Sequence, residues 1–451
     1  MKATILKWRQ RALYGALLAL SGLVFVSCNL DLVNPNSATE AQVLKTKEGL
    51  FGLAVGMENY YATRALGSVI TNIAVTAREA SAVTTYSSLE NLEDGGPELA
   101  GDNERVSRTF SRLYRVKGMA EDIIANVDDL PVSEGTKNGL FALANLYRAL
   151  CLGNLAQNWE YVAIVNDRNG QATYSPRQEA FQEAVRILEA SIQRIESGGL
   201  SDEFVSRFYS EEEMLNKLYA HLARYSLFGG DYQKAIDAAK KVDLTKAYFF
   251  SYDGENKNPV YVRFVEDLVE LAPRDNAGLP DELSPDPNDG RLAFYFVSIP
   301  KVSLVGLPID SLICPFFTTL DASIPFYNPY EMVLIEAEAQ ARLGNIDAAE
   351  AALNRVRNKK PEDDPLAQGL AANLPDTYSS NGDVQALLNE IYKNRRLELY
   401  LTGMALEDSR RFGRPDPPRQ IDYNSERNRN FYPYPSSERS RNPNCPPDPD
   451  I

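Results

Sequence analysis

The sequence predicts a mainly α-helical fold of stacked helical hairpins, with one large irregular insert and an irregular C-terminal region. Three observations carry this reading. Two stretches repeat one apolar spacing around a glycine turn, a proline-rich block separates them, and proline returns in force after Arg414.

Over residues 219 to 242, Tyr219, Leu222, Ala223 and Leu227 share one helical face. Gly229-Gly230-Asp231-Tyr232 breaks the run, and Ala235, Ile236, Ala239 and Val242 resume it. The same grammar returns over residues 332 to 356, where Leu334, Ile335, Ala337 and Ala341 precede Leu343-Gly344-Asn345, and Ala348, Ala349, Ala352, Leu353 and Val356 follow. This wording resembles the tetratricopeptide repeat, in which glycine relieves the turn and alanine lets paired helices approach. A looser copy joins residues 140 to 159 with 177 to 195, and residues 105 to 127 supply a further helix for a partner from residues 47 to 62. The expected hairpins therefore lie at about residues 138 to 197, 214 to 243 and 331 to 357.

Residues 244 to 330 are different material. Pro259, Pro273, Pro280, Pro285, Pro287, Pro300, Pro308, Pro315 and Pro325 suit loops and a few strands rather than helix. Residues 413 to 451 are expected to wrap over the helices as irregular chain. Helical solenoids bind with their grooves or with loops inserted between repeats, which directs attention to the insert.

The N-terminus sets the compartment. Lys2, Lys7, Arg9 and Arg11 form a basic head before an apolar stretch over residues 12 to 26, too short to be a membrane span and laid out as a secretory signal. Phe25-Val26-Ser27-Cys28 resembles the lipobox of bacterial lipoproteins, with Phe25 where leucine is usual. Residues 1 to 27 then read as a lipoprotein signal peptide, residues 28 to 45 as a lipidated N-terminus and tether on acylated Cys28, and residues 46 to 451 as the folded body. Removing the signal leaves 43 basic against 62 acidic residues, a net charge of −19, which argues against nucleic acid as a partner. Cys151, Cys314 and Cys445 allow at most one internal disulfide.

Several phrases together resemble the SusD/RagB family of outer-membrane nutrient-binding lipoproteins. They are Tyr330-Glu331-Met332-Val333-Leu334-Ile335-Glu336-Ala337-Glu338-Ala339 with Ala352-Leu353-Asn354-Arg355-Val356-Arg357, then Asn394-Arg395-Arg396-Leu397-Glu398-Leu399 with Asp408-Ser409-Arg410-Arg411, and the closing Phe431-Tyr432-Pro433-Tyr434-Pro435 with Asn442-Pro443-Asn444. Asn288-Asp289-Gly290-Arg291-Leu292 matches a turn of the family's insert, with Gly290 where proline is usual. The resemblance implies a SusD-like superhelix of four repeats, a lipid anchor on the outer leaflet at the cell surface, and a SusC-like TonB-dependent transporter for which the protein is the lid. Best-known relatives bind glycans and others are associated with peptides, so the resemblance alone does not settle the ligand; the reading taken is an oligomeric nutrient, oligosaccharide ahead of peptide, with no cofactor and no catalysis.

Two loops correspond to regions that carry ligand contacts in SusD-like proteins, and their aromatic and amide groups are the expected contacts. These are Tyr86 with Asn91, and Tyr295, Phe316 and Phe317 in the insert. Other candidates read more simply as structure. The arginine pairs at 395–396 and 410–411 have Glu398, Glu407 and Asp408 at helical spacing and are expected to fix helix packing. The acids Glu90, Glu93, Asp94, Glu98, Asp102 and Glu104 lack EF-hand spacing and read as a solvated loop. His221 is the single histidine and lies within a helical run, where a structural role is expected; any triad would have to use it, and a metal site with two histidine ligands is impossible. The rival readings are a peptide-binding relative, a periplasmic tetratricopeptide-type assembly scaffold and a secreted hydrolase. If Cys28 carries the anchor, Cys28→Ala will leave a folded body that fractionates as soluble protein; retention in the membrane pellet would contradict the anchor.

Overall fold

The computed structural model describes residues 43 to 451; the signal peptide, Cys28 and most of the tether lie outside the described residues. Helix α1 (Lys47–Tyr60) begins where Thr46 Oγ1 accepts from the Gly49 amide at 3.1 Å, and it passes through one π-helical turn (Tyr61–Ala65) into α2 (Leu66–Thr76). Strand β1 (Ala80–Ala82) and the short helix α3 (Ser87–Asp94) lead to α4 (Glu104–Asn126), which packs against α1 as the first helical pair.

Helices α5 (Glu134–Asn158) and α6 (Arg177–Gly198) form the second pair, with the ribbon β2 (Tyr161–Val162) and β3 (Ser175–Pro176) in their connector. By length and composition α5 could cross a membrane, yet 89% of its apolar window is buried inside the fold. It is the central helix, with Leu143, Leu146, Tyr147 and Leu155 fully covered by its neighbours.

After α7 (Asp202–Val205), helices α8 (Glu211–Phe228) and α9 (Tyr232–Ala239) make the third pair. Ser210 Oγ accepts from the Glu213 amide at 3.1 Å, and three glutamates in the first turn of α8 suit the positive end of its dipole. Gly230 turns the chain at φ +83° and Gly344 does the same at φ +82° between α12 and α13 below, a conformation that a side chain resists.

The insert is mostly irregular, as expected. It adds β4 (Phe249–Phe250), α10 (Tyr261–Phe264), β5 (Leu271–Pro273), α11 (Gly290–Tyr295), β6 (Phe296–Val302), β7 (Pro308–Leu312) and β8 (Ile324–Pro325). Its strands form two-stranded antiparallel ribbons, β4 with β8 and β6 with β7, while β5 pairs with β1 in the register Ala80↔Pro273 and Ala82↔Leu271. The Gly290 amide donates to Ala372 O at 2.9 Å, and a Cβ there would stand 2.7 Å from Ala371 O. Proline fails both conditions, which accounts for the glycine.

The fourth pair is α12 (Pro329–Arg342) with α13 (Ile346–Arg357), followed by α14 (Val384–Glu398), α15 (Ala405–Arg411) and α16 (Ser436–Arg441). The irregular tail closes over earlier helices. Trp159 Nε1 donates to Pro433 O at 3.1 Å, the Tyr432 amide donates to Asn158 O at 2.8 Å, and Tyr432 Oη lies 2.8 Å from Thr76 Oγ1.

The arginine pairs sit inside this packing. Arg395 reaches Asp408 through two bonds of 2.8 and 3.0 Å, and Arg411 reaches the same carboxylate at 2.6 Å and also contacts Glu338. Glu407 is paired with Arg410 at 2.6 Å and with Arg177 of α6. Arg396 differs from expectation: its Nη2 donates to the carbonyls of Ala77 and Ala277 at 3.0 and 2.9 Å, while Glu398 serves Arg291 and Lys359. Burial pushes the Glu407 carboxyl up, but the guanidiniums of Arg177, Arg410 and Arg411 overcome it and hold the group at about 2.

Because that value lies below the unfolded one of 4.5, the stabilisation is complete above about pH 4.5 and is lost as pH falls through 2. Glu407→Gln, which leaves three arginines around a neutral amide, is expected to cost roughly 3–5 kcal/mol at pH 7. The gap in melting temperature between variant and parent should close as the pH is lowered from about 5 toward 2; a gap of constant size would refute the ion-pair origin.

Candidate functional site

A cleft of about 1020 Å³ opens between the π turn with α2, the loop into α3, the first turns of α4 and the insert around residues 255 to 270. Its walls are polar. Thr63, Ser68 and Asn72 come from the first wall, Thr85, Tyr86 and Asn91 from the second, and Arg105, Arg108 and Arg112 from the third.

Tyr86 immediately precedes α3, and its carbonyl accepts from the amides of Leu89 and Glu90 at 2.8 and 2.9 Å. The short helix buries Leu89 and Leu92 and turns Asn91 outward. Of the large apolar side chains exposed among the described residues only Tyr86, at 45%, and Tyr161, at 36%, are aromatic. The ring is thus available as a flat face on the cleft wall.

The underside of α3 is fixed by buried polar contacts. The Glu93 carboxylate accepts from Ser81 Oγ and from the Ala82 amide at 3.1 Å, and Arg78 Nη1 donates to Glu93 O at 2.8 Å. Asn428 Nδ2 donates to the carbonyls of Leu92 and Glu93 at 2.7 and 2.8 Å, so the C-terminal segment braces the same helix. Glu93 is 1% exposed, and burial raises its pKa despite these donors. The acidic stretch is therefore not uniformly solvated: Glu93 points into the fold because α3 has a buried side.

The five expected ligand contacts are not brought together. Tyr86 and Asn91 line the open cleft, whereas Tyr295, Phe316 and Phe317 are buried around a separate inner hollow of about 60 Å³. Tyr295 packs on Tyr400 with centroids 5.1 Å apart, and Phe316 on Phe294 at 5.8 Å. Their rings are occupied by core contacts, which removes them from any open surface. His221 lines the same hollow, fully buried, with Nδ1 donating to Lys217 O at 2.8 Å and its ring 5.4 Å from that of Phe326. Burial and the neighbouring Arg224 charge hold its pKa well below the ordinary value. Among the described residues no group of His, Cys, Asp and Glu is arranged to hold a metal ion, and Cys151, Cys314 and Cys445 are unpaired.

Sequence reasoning missed the arginines. Arg105, Arg108 and Arg112 lie at i, i+3 and i+7 on one face of α4, a spacing that was open to inspection. Arg64 had no such signal, since it reaches the cleft from the π turn.

This arrangement of four helical pairs, a ribboned insert and a wrapping tail defines the SusD-like class of fold. No protein-family model and no curated protein matches the chain. Among solved structures, a SusD superfamily protein from Bacteroides vulgatus ATCC 8482 superimposes with a TM-score of 0.65 at 13% identity, over 90% of this chain and 100% of that one. A SusD-like carbohydrate binding protein from Bacteroides fragilis NCTC 9343 gives 0.64 at 12% identity, over 89% and 99%. A SusD/RagB family protein from Bacteroides thetaiotaomicron VPI-5482 gives 0.61 at 18%, over 88% and 94%. The chain shares the fold of these proteins along nearly its whole described length.

Removing the brace should loosen the cleft wall selectively. Glu93→Ala is expected to lower stability by about 2 kcal/mol and to speed amide hydrogen exchange across residues 87 to 94. Exchange in α12 and α13 should be unchanged; equal acceleration everywhere would show that Glu93 has no special hold on this wall.

Proposed function

We propose that this protein is an outer-membrane surface lipoprotein that binds an oligosaccharide and passes it to a TonB-dependent transporter as its lid subunit. The observation that carries the reading is the open polar cleft with the exposed Tyr86 ring beside Asn91, on a fold that solved carbohydrate-binding proteins share. A sugar ring presents apolar C–H faces and a hydroxyl rim. The Tyr86 face suits the first, and the Asn91 amide, which both donates and accepts, suits the second.

An open cleft with few aromatic anchors favours moderate affinity and quick release, as delivery to a transporter requires. Acylated Cys28 would keep the body at the membrane, since acyl chains contribute about 0.8 kcal/mol per buried methylene. Peptide binding is the second reading, favoured by the charged side chains of the cleft wall and by Trp159 being buried rather than offered for stacking.

Tyr86→Ala tests the site. Its ring is 45% exposed, so the melting temperature should hold while affinity for the best oligosaccharide in a titration panel falls about tenfold. Unaltered affinity would remove the cleft from the proposal, and selective retention of peptides would favour the second reading. Co-purification of a barrel partner from mild detergent, and access of extracellular protease on intact cells, test the lid role against a periplasmic scaffold.

A further inference from the structure

The chain as a whole is acidic, at −15, yet Arg64, Arg105, Arg108, Arg112, Lys257 and Arg263 all line one cleft. Four of these cations are answered within the protein. Glu270 takes Arg105 at 2.7 Å together with Arg263, Glu104 takes Arg108, and Glu266 takes Lys257. Arg64 and Arg112 have no carboxylate within ion-pair distance among the described residues. The remaining acids of the wall, Asp102 and Glu255, are exposed and pair with neither.

Arg112 is half-buried. Its Nη1 donates to Arg64 O at 3.0 Å and contacts Ser68 Oγ, which leaves Nε and Nη2 without a hydrogen-bond partner among the described residues. Burial lowers its pKa; Tyr60 opposes this, and the like charges on Arg108, Arg64 and Arg263 add to it. A guanidinium partly removed from water and surrounded by its own sign is unfavourable until an anion answers it. The π turn builds this corner, because the Arg64 carbonyl there accepts from both Ser68 Oγ, at 2.9 Å, and Arg112. Single π turns inside helices recur at functional sites.

We propose that the ligand of this cleft is an acidic oligosaccharide, whose ring carboxylate or sulfate groups are held by Arg64 and Arg112 while a neighbouring sugar ring lies on Tyr86. This rests on the oligosaccharide reading above and narrows it. The guanidinium fork matches two-oxygen anions, and the two arginines of the cleft that no protein carboxylate answers are the groups that would draw an anion in.

The test is calorimetric titration with oligogalacturonate, oligomannuronate and a carrageenan oligosaccharide, against neutral methyl-esterified oligogalacturonate, xylo-oligosaccharides and malto-oligosaccharides. An anionic member should bind at least about tenfold more tightly than the neutral ones and weaken steeply as salt rises from roughly 0.05 to 0.5 M. Arg64→Gln, at an exposed position, should cost about tenfold with melting temperature held; Arg112→Gln should cost about tenfold, and Arg112→Lys, which keeps the charge but not the fork, should recover only part of that loss. A response to carboxylates but not to carrageenan, or the reverse, identifies which anion is read.

Neutral sugars binding as tightly, in a Tyr86-dependent manner and without response to the arginine variants, would overturn the acidic inference and leave the oligosaccharide reading standing. Binding of none of the six sugars would overturn both.

Discussion

The structure depends on a buried lattice of ion pairs. Glu338 of α12, Glu407 and Asp408 of α15, Arg395 of α14 and Arg177 of α6 meet in one water-poor region with Arg410 and Arg411. Carboxylates and guanidiniums there carry a large desolvation cost, offset only when the geometry closes completely. Each acid is shared by two or three arginines, so a small shift of one helix strands several charges together. Apolar packing alone tolerates sliding; this lattice does not, and it ties helical pairs that lie far apart in sequence. Arg410 extends the tie to the central helix α5 through Gln157 O at 2.6 Å.

The repeated part of the fold was legible because its rules are local. Gly230 and Gly344 announce left-handed turns, and the alanines beyond them announce close helix contact. The arginine pairs were legible in role, since acids stood at helical spacing, but Arg396 bonds to carbonyls that only the tertiary structure brings near. The site was legible in part. Tyr86 stands at a loop position and is exposed, while Tyr295, Phe316 and Phe317 stand at equally loop-like positions and are buried. Proline-rich chain has no period from which inside and outside can be read, so burial there is decided by distant partners such as Tyr400. Glu93 fails for a related reason: α3 is too short for its buried side to be seen in the sequence.

The cleft has a division of labour between rigid support and open surface. Its wall at α3 is held from below by Glu93, Arg78 and Asn428, none of which needs to meet a ligand. The groups that face outward, Tyr86 and Asn91, make few internal bonds and lose little by changing partner. A fold can vary such outward positions while its support stays constant, and fold likeness at 12 to 18% identity is therefore compatible with different ligands on one scaffold.

The closing tail carries a consequence for how the molecule is made. Thr76 and Tyr432 are separated by 356 positions and meet only when the final segment arrives, and that segment also shields Trp159. A polypeptide cut short would leave its buried tryptophan and the ends of α2 and α5 uncovered, greasy and adhesive. The core around Trp159 therefore closes only once the chain about Tyr432 and Pro433 is in place, late in the order in which the segments are laid down.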